Sequence, residues 1–483
     1  MKKTSPPLDP HFMPMYSVWE KLRKKAERGK KSGIDIACVR EDGYCERFDM
    51  AFAAPMDETA IRFCERVVKF MLWSSGGYEI YLAPKEGFIN AHPLAKSLPD
   101  GSVTLVTRSA RYQPVPPELT RRIQEDYSPQ GARAFDCEMM ELAYGRPLTV
   151  KVVHPQDMPE SKIRAQPLGG HLNGCRLGFD LGASDFKIAA VKDGETVFAD
   201  EIPWTPVTAT DPDYHFNMLQ EGLKKAASYL PRVDAIGGSS AGVIVDNQIR
   251  VASLIRGISA ADRPKAQQLF KRIQEIWKVP MEVANDGDVT ALAGAMSLSL
   301  KQKGLLGIAM GSSEAAGYLG MGAHPTGLLT GRLNELAFAP VDFNPDAPQD
   351  EWSKDIGVGA SYFSQQAVNR LAIKAGFTFP ADMPLPERLK VVQAAMENGD
   401  PAAEKIYTTI GMYLGYTIPW YAQFYRMQNV MILGRVTSGR GGEIIVKTAQ
   451  DIMLSINPVN LIMPDEKARR VGQCVAAASL PQC

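Results

Sequence analysis

The chain has 483 residues, too many for one ordinary hydrophobic core, so two or three domains are expected. Its 45% hydrophobic and 22% charged content describe a globular protein with ample apolar material for those cores. Lys plus Arg and Asp plus Glu both total 54, which removes any global electrostatic argument for nucleic acid or an anionic membrane as partner.

Seven cysteines (Cys38, Cys45, Cys64, Cys137, Cys175, Cys474 and Cys483) are scattered, with no Cys-x-x-Cys or Cys/His metal spacing. Reduced thiols in a cytoplasmic protein are the expected reading. The opening residues Met1-Lys2-Lys3-Thr4-Ser5-Pro6-Pro7 lead into polar, proline-broken sequence, so no secretory leader is expected. No apolar run has the length of a membrane span.

In chain order, a basic helix is expected over 18–26. The run Arg28-Gly29-Lys30-Lys31 fits a solvated helix end better than a nucleic-acid contact. Residues 34–39 and 45–52 flank Asp42-Gly43 as a strand pair. A helix follows over 57–73, with Ile61, Val67, Val68, Met71 and Leu72 on its apolar face. Strands are expected at 78–82, 102–106 and 147–153, and helices at 118–126 and 135–144. Pro155, Pro159, Pro167, Gly169 and Gly170 mark a linker. Residues 1–165 are thus expected to be an α/β extension of unassigned role. Gly33-Ile34-Asp35-Ile36 beside Gly178-Phe179-Asp180-Leu181 hints at a duplication, and chance likeness between two α/β segments competes with it.

Five segments carry chemistry. Residues 177–191 read strand, small turn, strand, with Asp180 at the end of the first strand and Gly182, Ala183 and Ser184 in the turn. A turn without bulky side chains lets backbone N–H groups approach a phosphate, and Asp180 can hold a metal ion or its water. An ordinary hairpin with a surface aspartate reads equally well. A third strand near 196, a helix over 217–229 and a strand over 233–237 follow. The small residues Gly237, Gly238, Ser239, Ser240, Ala241 and Gly242 permit close approach of a ligand or a second backbone.

A strand over 281–284 then delivers Asn285 and Asp286 to the start of an alanine-rich helix. A carboxylate there can accept a hydroxyl proton and the amide can bind sugar hydroxyls, whereas capping by Asp286 or Asp288 is the plainer reading. Gly311-Ser312-Ser313 lies between two strands as a second phosphate-loop candidate. Last, a strand over 430–433 enters a loop containing Gly434, Arg435, Gly439, Gly441 and Gly442, ahead of a helix over 444–454. Such a loop at a helix start suits a nucleotide. A helix is expected over 360–372. A long aromatic helix broken near Pro419, with Tyr413, Trp420 and Tyr421, reads as core or a dimer face. Tyr318 and His324 are further cleft candidates, His324 beside Pro325 being more often a plain loop residue.

Taken together, residues 175–483 resemble the ROK family of sugar kinases and related repressors, within the actin/hexokinase-like ATPase superfamily. The segment 180–184 resembles that superfamily's first phosphate loop, and Ser239-Ser240-Ala241-Gly242 a Ser-Ser-Pro-Gly-like turn. Asn285-Asp286 falls on the Glu-Asn-Asp-Ala-Asn segment, whose aspartate is the family's catalytic base. Gly311-Ser312-Ser313 matches the second phosphate loop, and Asn334-Glu335-Leu336-Ala337-Phe338 the Gly-Glu-x-Gly-His segment. Gly434 and Arg435 resemble the adenosine loop, and 471–478 the usual C-terminal helix.

The resemblance implies a two-lobed actin/hexokinase-like (ribonuclease H-like) α/β ATPase fold behind the N-terminal extension, with lobes at 175–295 and 296–483. It implies ATP and Mg2+ as cofactors, and a sugar or polyol acceptor held by Asn285, Glu335, Ser240 and Gly242. Asp286 would be the base. Asp180, Gly182, Ala183, Ser184, Gly311, Ser312, Ser313, Gly434 and Arg435 would hold the nucleotide, with Asp180 also near the metal. No nucleic acid and no membrane are expected as partners, and a homodimer is compatible. The chain departs from the pattern at Phe338, in place of the histidine, and at Glu314, Ala315 and Ala316 in the second loop. Asp185 stands where many members have lysine. The zinc cysteine cluster is absent, so no zinc site is implied, and Asp342-Phe343-Asn344-Pro345 stands there instead. A regulatory or sugar-binding protein that has lost phosphoryl transfer is the alternative.

Overall fold

The computed structural model describes residues 5–28, 31–40, 43–85, 95–97, 103–105, 115–163, 165–182, 185–297, 304–322, 327–454, 456, 459–464 and 466–482. Gly29, Lys30, Asp42, Ala183, Ser184, His324 and the ends of the expected 102–106 strand lie outside them. The chain forms two compact units, one from residues 15–163 and the other from residues 1–14 with 164–483.

The smaller unit runs α1 (Met15–Ala26), β1 (Lys31–Val39), β2 (Cys45–Ala53), α2 (Glu58–Ser75), β3 (Glu79–Pro84), β4 (Ala95–Ser97), β5 (Val103–Leu105), α3 (Pro117–Asp126), α4 (Ala134–Tyr144) and β6 (Thr149–Val152). Its four-stranded sheet has the order β2-β1-β3-β6. Asp57 caps α2 by accepting from the Ala60 N–H at 2.9 Å. Helix α2 is buried along most of its length, Glu65 and Lys69 included. Such charges need partners. Lys69 reaches Asp136 at 2.6 Å and Arg133 reaches Glu65 at 2.6 Å.

The larger unit continues with β7 (Gln166–Pro167), β8 (Cys175–Leu181), β9 (Asp185–Lys192), β10 (Glu195–Pro203), α5 (Tyr214–Ala227), β11 (Ala235–Ser240), β12 (Val243–Val245), β13 (Gln248–Val251), α6 (Arg263–Gln267), α7 (Leu269–Trp277), β14 (Met281–Asn285) and α8 (Asp286–Ser297). Its first sheet is ordered β10-β9-β8-β11-β14. The two hairpins β8–β9–β10 are antiparallel, whereas β11 runs parallel to β8 and β14 parallel to β11. Then come β15 (Leu305–Met310), β16 (Glu314–Gly320), β17 (Leu328–Leu329), α9 (Gln365–Lys374), α10 (Leu385–Glu397), α11 (Pro401–Tyr421), β18 (Asn429–Leu433), α12 (Gly439–Met453), β19 (Asn460–Ile462) and α13 (Glu466–Ala478). The second sheet, β19-β18-β15-β16-β17-β7, repeats the theme of an antiparallel hairpin flanked by parallel strands. Helix α8 packs on β15 and β16, and α13 packs on α8, β8 and β11.

The suspected duplication is not present. In the smaller unit the strand after the helix, β3, pairs antiparallel to β1, while in the larger unit β11 pairs parallel to β8. The shared Gly-x-Asp pattern reflects two strands that each open a hairpin.

Several glycines serve packing and not a ligand. A Cβ on Gly237 would stand 1.7 Å from the Ala477 carbonyl oxygen, and one on Gly178 2.0 Å from that of Cys474, both on α13. Gly237→Ala is therefore expected to lower stability by roughly 2 kcal/mol through overpacking, read as a shifted denaturant midpoint with unchanged slope. An unmoved midpoint would show that α13 yields at no cost. Gly441 and Gly442 likewise lie in the first turn of α12 and not in a preceding loop, and Cβ atoms there would strike the Tyr407 ring at 2.5 Å and the Thr437 carbonyl at 2.0 Å.

Two further expectations shift. Helix α11 is continuous to Tyr421 with Pro419 inside it, so the chain carries on through the proline instead of breaking there. Tyr413, Trp420 and Tyr421 are core residues with no exposure. Helix α9 begins at Gln365 and not at 360, because Ser364 caps it by accepting from the Gln366 N–H at 3.1 Å, after a short 3-10 turn at Gly359–Ser361.

Residues ahead of Pro14 belong to the larger unit. Asp9 accepts from the Tyr413 hydroxyl at 2.5 Å, and Phe12 packs edge-on against Tyr413 with ring centres 4.7 Å apart. Asp342, in the segment where the resemblance would place zinc ligands, accepts from the Met13 N–H at 2.9 Å and the Tyr362 hydroxyl at 2.6 Å. Among the described residues no helix is long and apolar enough to cross a membrane.

Candidate active site

The parallel part of the first sheet delivers its polar residues to one end. Strand register sets Asp180 of β8 opposite Ser239 of β11 and Lys187 of β9. The Ser239 hydroxyl donates to Asp180 Oδ1 at 2.7 Å, and Lys187 Nζ lies 3.5 Å from Oδ2. Burial pulls the Lys187 ammonium down, but Asp180 and Asp185 outweigh it and leave its pKa raised. Past Asp180, the Gly182 N–H closes the turn on the Asp185 carbonyl at 3.0 Å, and the Gly182 carbonyl accepts from the Trp204 indole at 2.8 Å. Ala183 and Ser184 lie outside the described residues.

Strand β14 hands Asn285 to the start of α8. Asn285 Oδ1 accepts from the Gly287 N–H at 2.8 Å, so the cap expected of Asp286 or Asp288 falls largely to the asparagine. Asn285 Nδ2 donates to the Gly242 carbonyl at 2.9 Å and lies 3.4 Å from Glu335 Oε1. Asp286 Oδ1 accepts from the Gly287 N–H at 3.0 Å. Burial, and after it the charge of Asp180, raise the Asp286 carboxyl to about 6. A carboxylate poised there is ionised at neutral pH and still basic enough to take a hydroxyl proton.

Helix α8 is held tightly. A Cβ on Gly287 would lie 1.9 Å from the Ala316 carbonyl of β16, and one on Gly317 2.0 Å from the Gly287 carbonyl. This near-contact of backbones fixes the start of α8, and with it Asp286, against the second sheet. Glu335 follows Asn334, whose φ of +57° is a left-handed turn that asparagine tolerates. Burial first, then Asp286 and Asp288, push the Glu335 carboxyl up to about 8. Asp288, raised to about 7 chiefly by burial, accepts from Asn334 Nδ2 at 2.9 Å.

The second loop candidate, Gly311 to Ser313, is the β15–β16 turn. The Gly311 N–H donates to the Ser313 carbonyl at 2.9 Å, and the Gly311 carbonyl accepts from the Gln365 N–H at the start of α9. Ser312 and Ser313 are exposed. Gly434, at φ +103°, fits against Met310, where a Cβ would stand 2.4 Å from the carbonyl oxygen. The two loops therefore adjoin. Arg435 reaches Asp185 of β9 at 3.7 Å, so an ion pair bridges the two sheets' loops.

The structure thus brings Asp180, Asn285, Asp286 and Glu335 together, and Gly311 beside Gly434. Ser240 is fully buried, with its hydroxyl donating to the Ala241 carbonyl at 3.4 Å. Gly242, at φ +104°, contributes its carbonyl to Asn285. The residue on Asp180 is Ser239, which the register of β11 on β8 sets opposite it. Asp288 and Asn334 carried no separate signal beyond their neighbours.

Among the described residues no three His, Cys, Asp or Glu side chains are arranged to hold a metal by themselves. Asp180 lies close enough to Asp286 for its charge to act there, and although its oxygens face Ser239 and Lys187, a magnesium ion held by one or two carboxylates and completed by phosphate oxygens and water would fit this pair.

No protein-family model matches the chain, and no curated protein is similar to it in sequence. Solved structures are similar in fold. A ROK family glucokinase from Streptomyces griseus, in complex with glucose and AMPPNP, superposes with a TM-score of 0.50 at 18% identity, over 63% of this chain and 99% of that one. A ROK hexokinase from Thermus thermophilus gives 0.48 at 17% identity, over 63% and 98%. A ROK family transcriptional regulator, a homolog of the E. coli MLC protein, gives 0.49 at 18%, over 64% and 79%.

Proposed function

On the premise that this chain has the actin/hexokinase-like fold of ROK proteins, carried beside an additional α/β unit, we propose that it transfers the γ-phosphoryl group of ATP to a hydroxyl of a sugar or sugar-like molecule. The observation that carries this reading is the placement of Asp286. It is a half-buried carboxylate at a helix start, poised at about 6, between Asp180 on one side and Asn285 with Glu335 on the other.

In this reading Asn285 and Glu335 hold acceptor hydroxyls, and Asp286 takes the proton of the attacking hydroxyl as its oxygen bonds to phosphorus. The leaving oxygen departs on ADP. The hydroxyls of exposed Ser312 and Ser313 bind and orient the phosphates, on turns that the Gly311 and Gly182 N–H groups close. Lys187, held by Asp180 and Asp185, supplies positive charge nearby. A magnesium ion at Asp180 would neutralise charge developing on the phosphates. Closure of the lobes excludes water from the transfer.

The test is ADP release, coupled to a spectrophotometric readout, with ATP–magnesium and a panel of sugars, amino sugars, polyols and inositols. Acceptor-dependent release supports the reading. Absence of release with every acceptor, in protein that binds ATP, overturns it in favour of a sugar-binding regulator. One observation favours that second reading: Asp185 places a negative charge at the first loop, paired with Lys187 at 4.0 Å and Arg435 at 3.7 Å. Asp185→Asn is accordingly expected to tighten ATP binding several-fold by removing repulsion of the phosphates and releasing both cations, as read by titration calorimetry. Weaker binding would instead make Asp185 a nucleotide or metal contact.

A further inference from the structure

We propose that Asp288 and Asn334 form a positioning pair that sets the distance between the base and the acceptor-binding carboxyl. Asp286 and Asp288 are the first and third residues of α8, whereas Glu335 sits on a separate segment between β17 and a 3-10 turn at Leu336–Phe338. The hydrogen bond from Asn334 Nδ2 to Asp288 Oδ1, at 2.9 Å, is fully enclosed, with 2% and 7% exposure of the two residues. Asp288 Oδ1 also accepts from the Tyr318 N–H of β16 at 3.4 Å.

Asn334 is held from its other end as well. Its Oδ1 accepts from the Tyr425 hydroxyl at 3.1 Å, just beyond α11. The Tyr425 ring packs edge-on against Tyr318 at 5.0 Å and lies 4.5 Å beneath the Arg332 guanidinium. Both polar ends of the Asn334 side chain are therefore used, and its left-handed backbone aims the next residue, Glu335, back towards Asn285. Among the described residues the side-chain hydrogen bonds of Asp288 go to Tyr318 and Asn334, while its charge also reaches Glu335. Its positioning effect runs through Asn334, and the chain α8–Asp288–Asn334–Tyr425 orients Glu335 relative to Asp286.

The arrangement makes a swap possible. Asn334→Asp sets two buried carboxyls against each other, whereas Asp288→Asn with Asn334→Asp restores one donor and one acceptor with reversed roles. In the double variant the Tyr425 hydroxyl keeps its acceptor, while the Tyr318 N–H, whose long bond shares Asp288 Oδ1, meets the new amide nitrogen and loses its partner. Asp288→Asn alone is the conservative control, because its amide oxygen still accepts from Asn334. Asp288→Ala removes the bond outright.

The kinetic arm rests on the phosphotransfer reading, and the exchange arm does not. With the best acceptor from the ADP-release panel, N334D and D288A are expected to raise the acceptor KM about tenfold or more, a loss on the scale of one buried hydrogen bond. The ATP dissociation constant should stay within about twofold; D288N should keep KM within about threefold of the parent, and the double swap, which gives up the long Tyr318 bond, should bring KM well below that of N334D. Hydrogen–deuterium exchange of the 335–338 amides should quicken in N334D and D288A and slow again in the swap. A swap no better than N334D, with all variants shown folded by their melting curves, overturns the pair. So does exchange that is unchanged in D288A. A parent protein without ADP release, but with the exchange pattern above, sinks the kinase reading alone.

Discussion

Asp286→Asn is expected to lower turnover by about a thousandfold, within the range measured for a removed general base, while the ATP dissociation constant changes less than about twofold. The substitution keeps the shape of the side chain and an oxygen able to accept from the Gly287 N–H, so α8 should start as before. What is lost is the capacity to hold a proton. The same carboxyl should write itself into the pH profile of the parent protein. Its folded value of about 6 means that kcat/KM falls tenfold per pH unit below 6, as the protonated acid no longer accepts a proton. Between pH 7 and 8 the Asp286 limb should be flat. Undiminished turnover in Asp286→Asn would remove Asp286 from the role of base, and an acid limb centred near pH 4 would show that Asp180 and burial do not act on it as described.

The parts of this site that were legible in the sequence are those where chemistry and strand ends coincide. Asp180, Asn285 and Asp286 each terminate an apolar strand run, and a strand end at the edge of a parallel sheet is where polar groups accumulate. Glu335 was legible only through a family resemblance, because 330–338 has neither period. Its partner Asn334 stayed hidden for the same reason. The glycines misled where they stand for packing: Gly237, Gly238, Gly441 and Gly442 look like ligand loops in one dimension, yet they meet α13, Phe179, Tyr407 and Thr437. The choice between Ser239 and Ser240 depended on register, a non-local property. The docking of residues 5–14 on the larger unit, with Asp9 on Tyr413, spans 404 positions and has no local signature.

Glu314→Gln should make the protein more stable at alkaline pH and leave it little changed in acid. Glu314 opens β16 directly after Ser313, is 4% exposed, and neither carboxyl oxygen has a hydrogen-bond partner. Oε2 presses on Gly359, where a Cβ would stand 2.0 Å away. Burial alone pushes this carboxyl from 4.5 up to about 8. The folded state therefore binds a proton that the unfolded chain has already released, so stability falls as pH rises from about 4.5 to about 8 and levels off above. Three and a half pH units at about 1.4 kcal/mol each set an upper bound near 5 kcal/mol for this one group. Glutamine occupies the same space and cannot ionise, which abolishes that loss while retaining the unsatisfied polar contacts. The check is denaturant unfolding of both proteins from pH 5 to pH 9: the gap in midpoint should open through pH 8 and then hold constant. A gap that is the same at every pH would mean that the Glu314 carboxylate finds partners in the folded protein, and that the second loop is built on a charge after all.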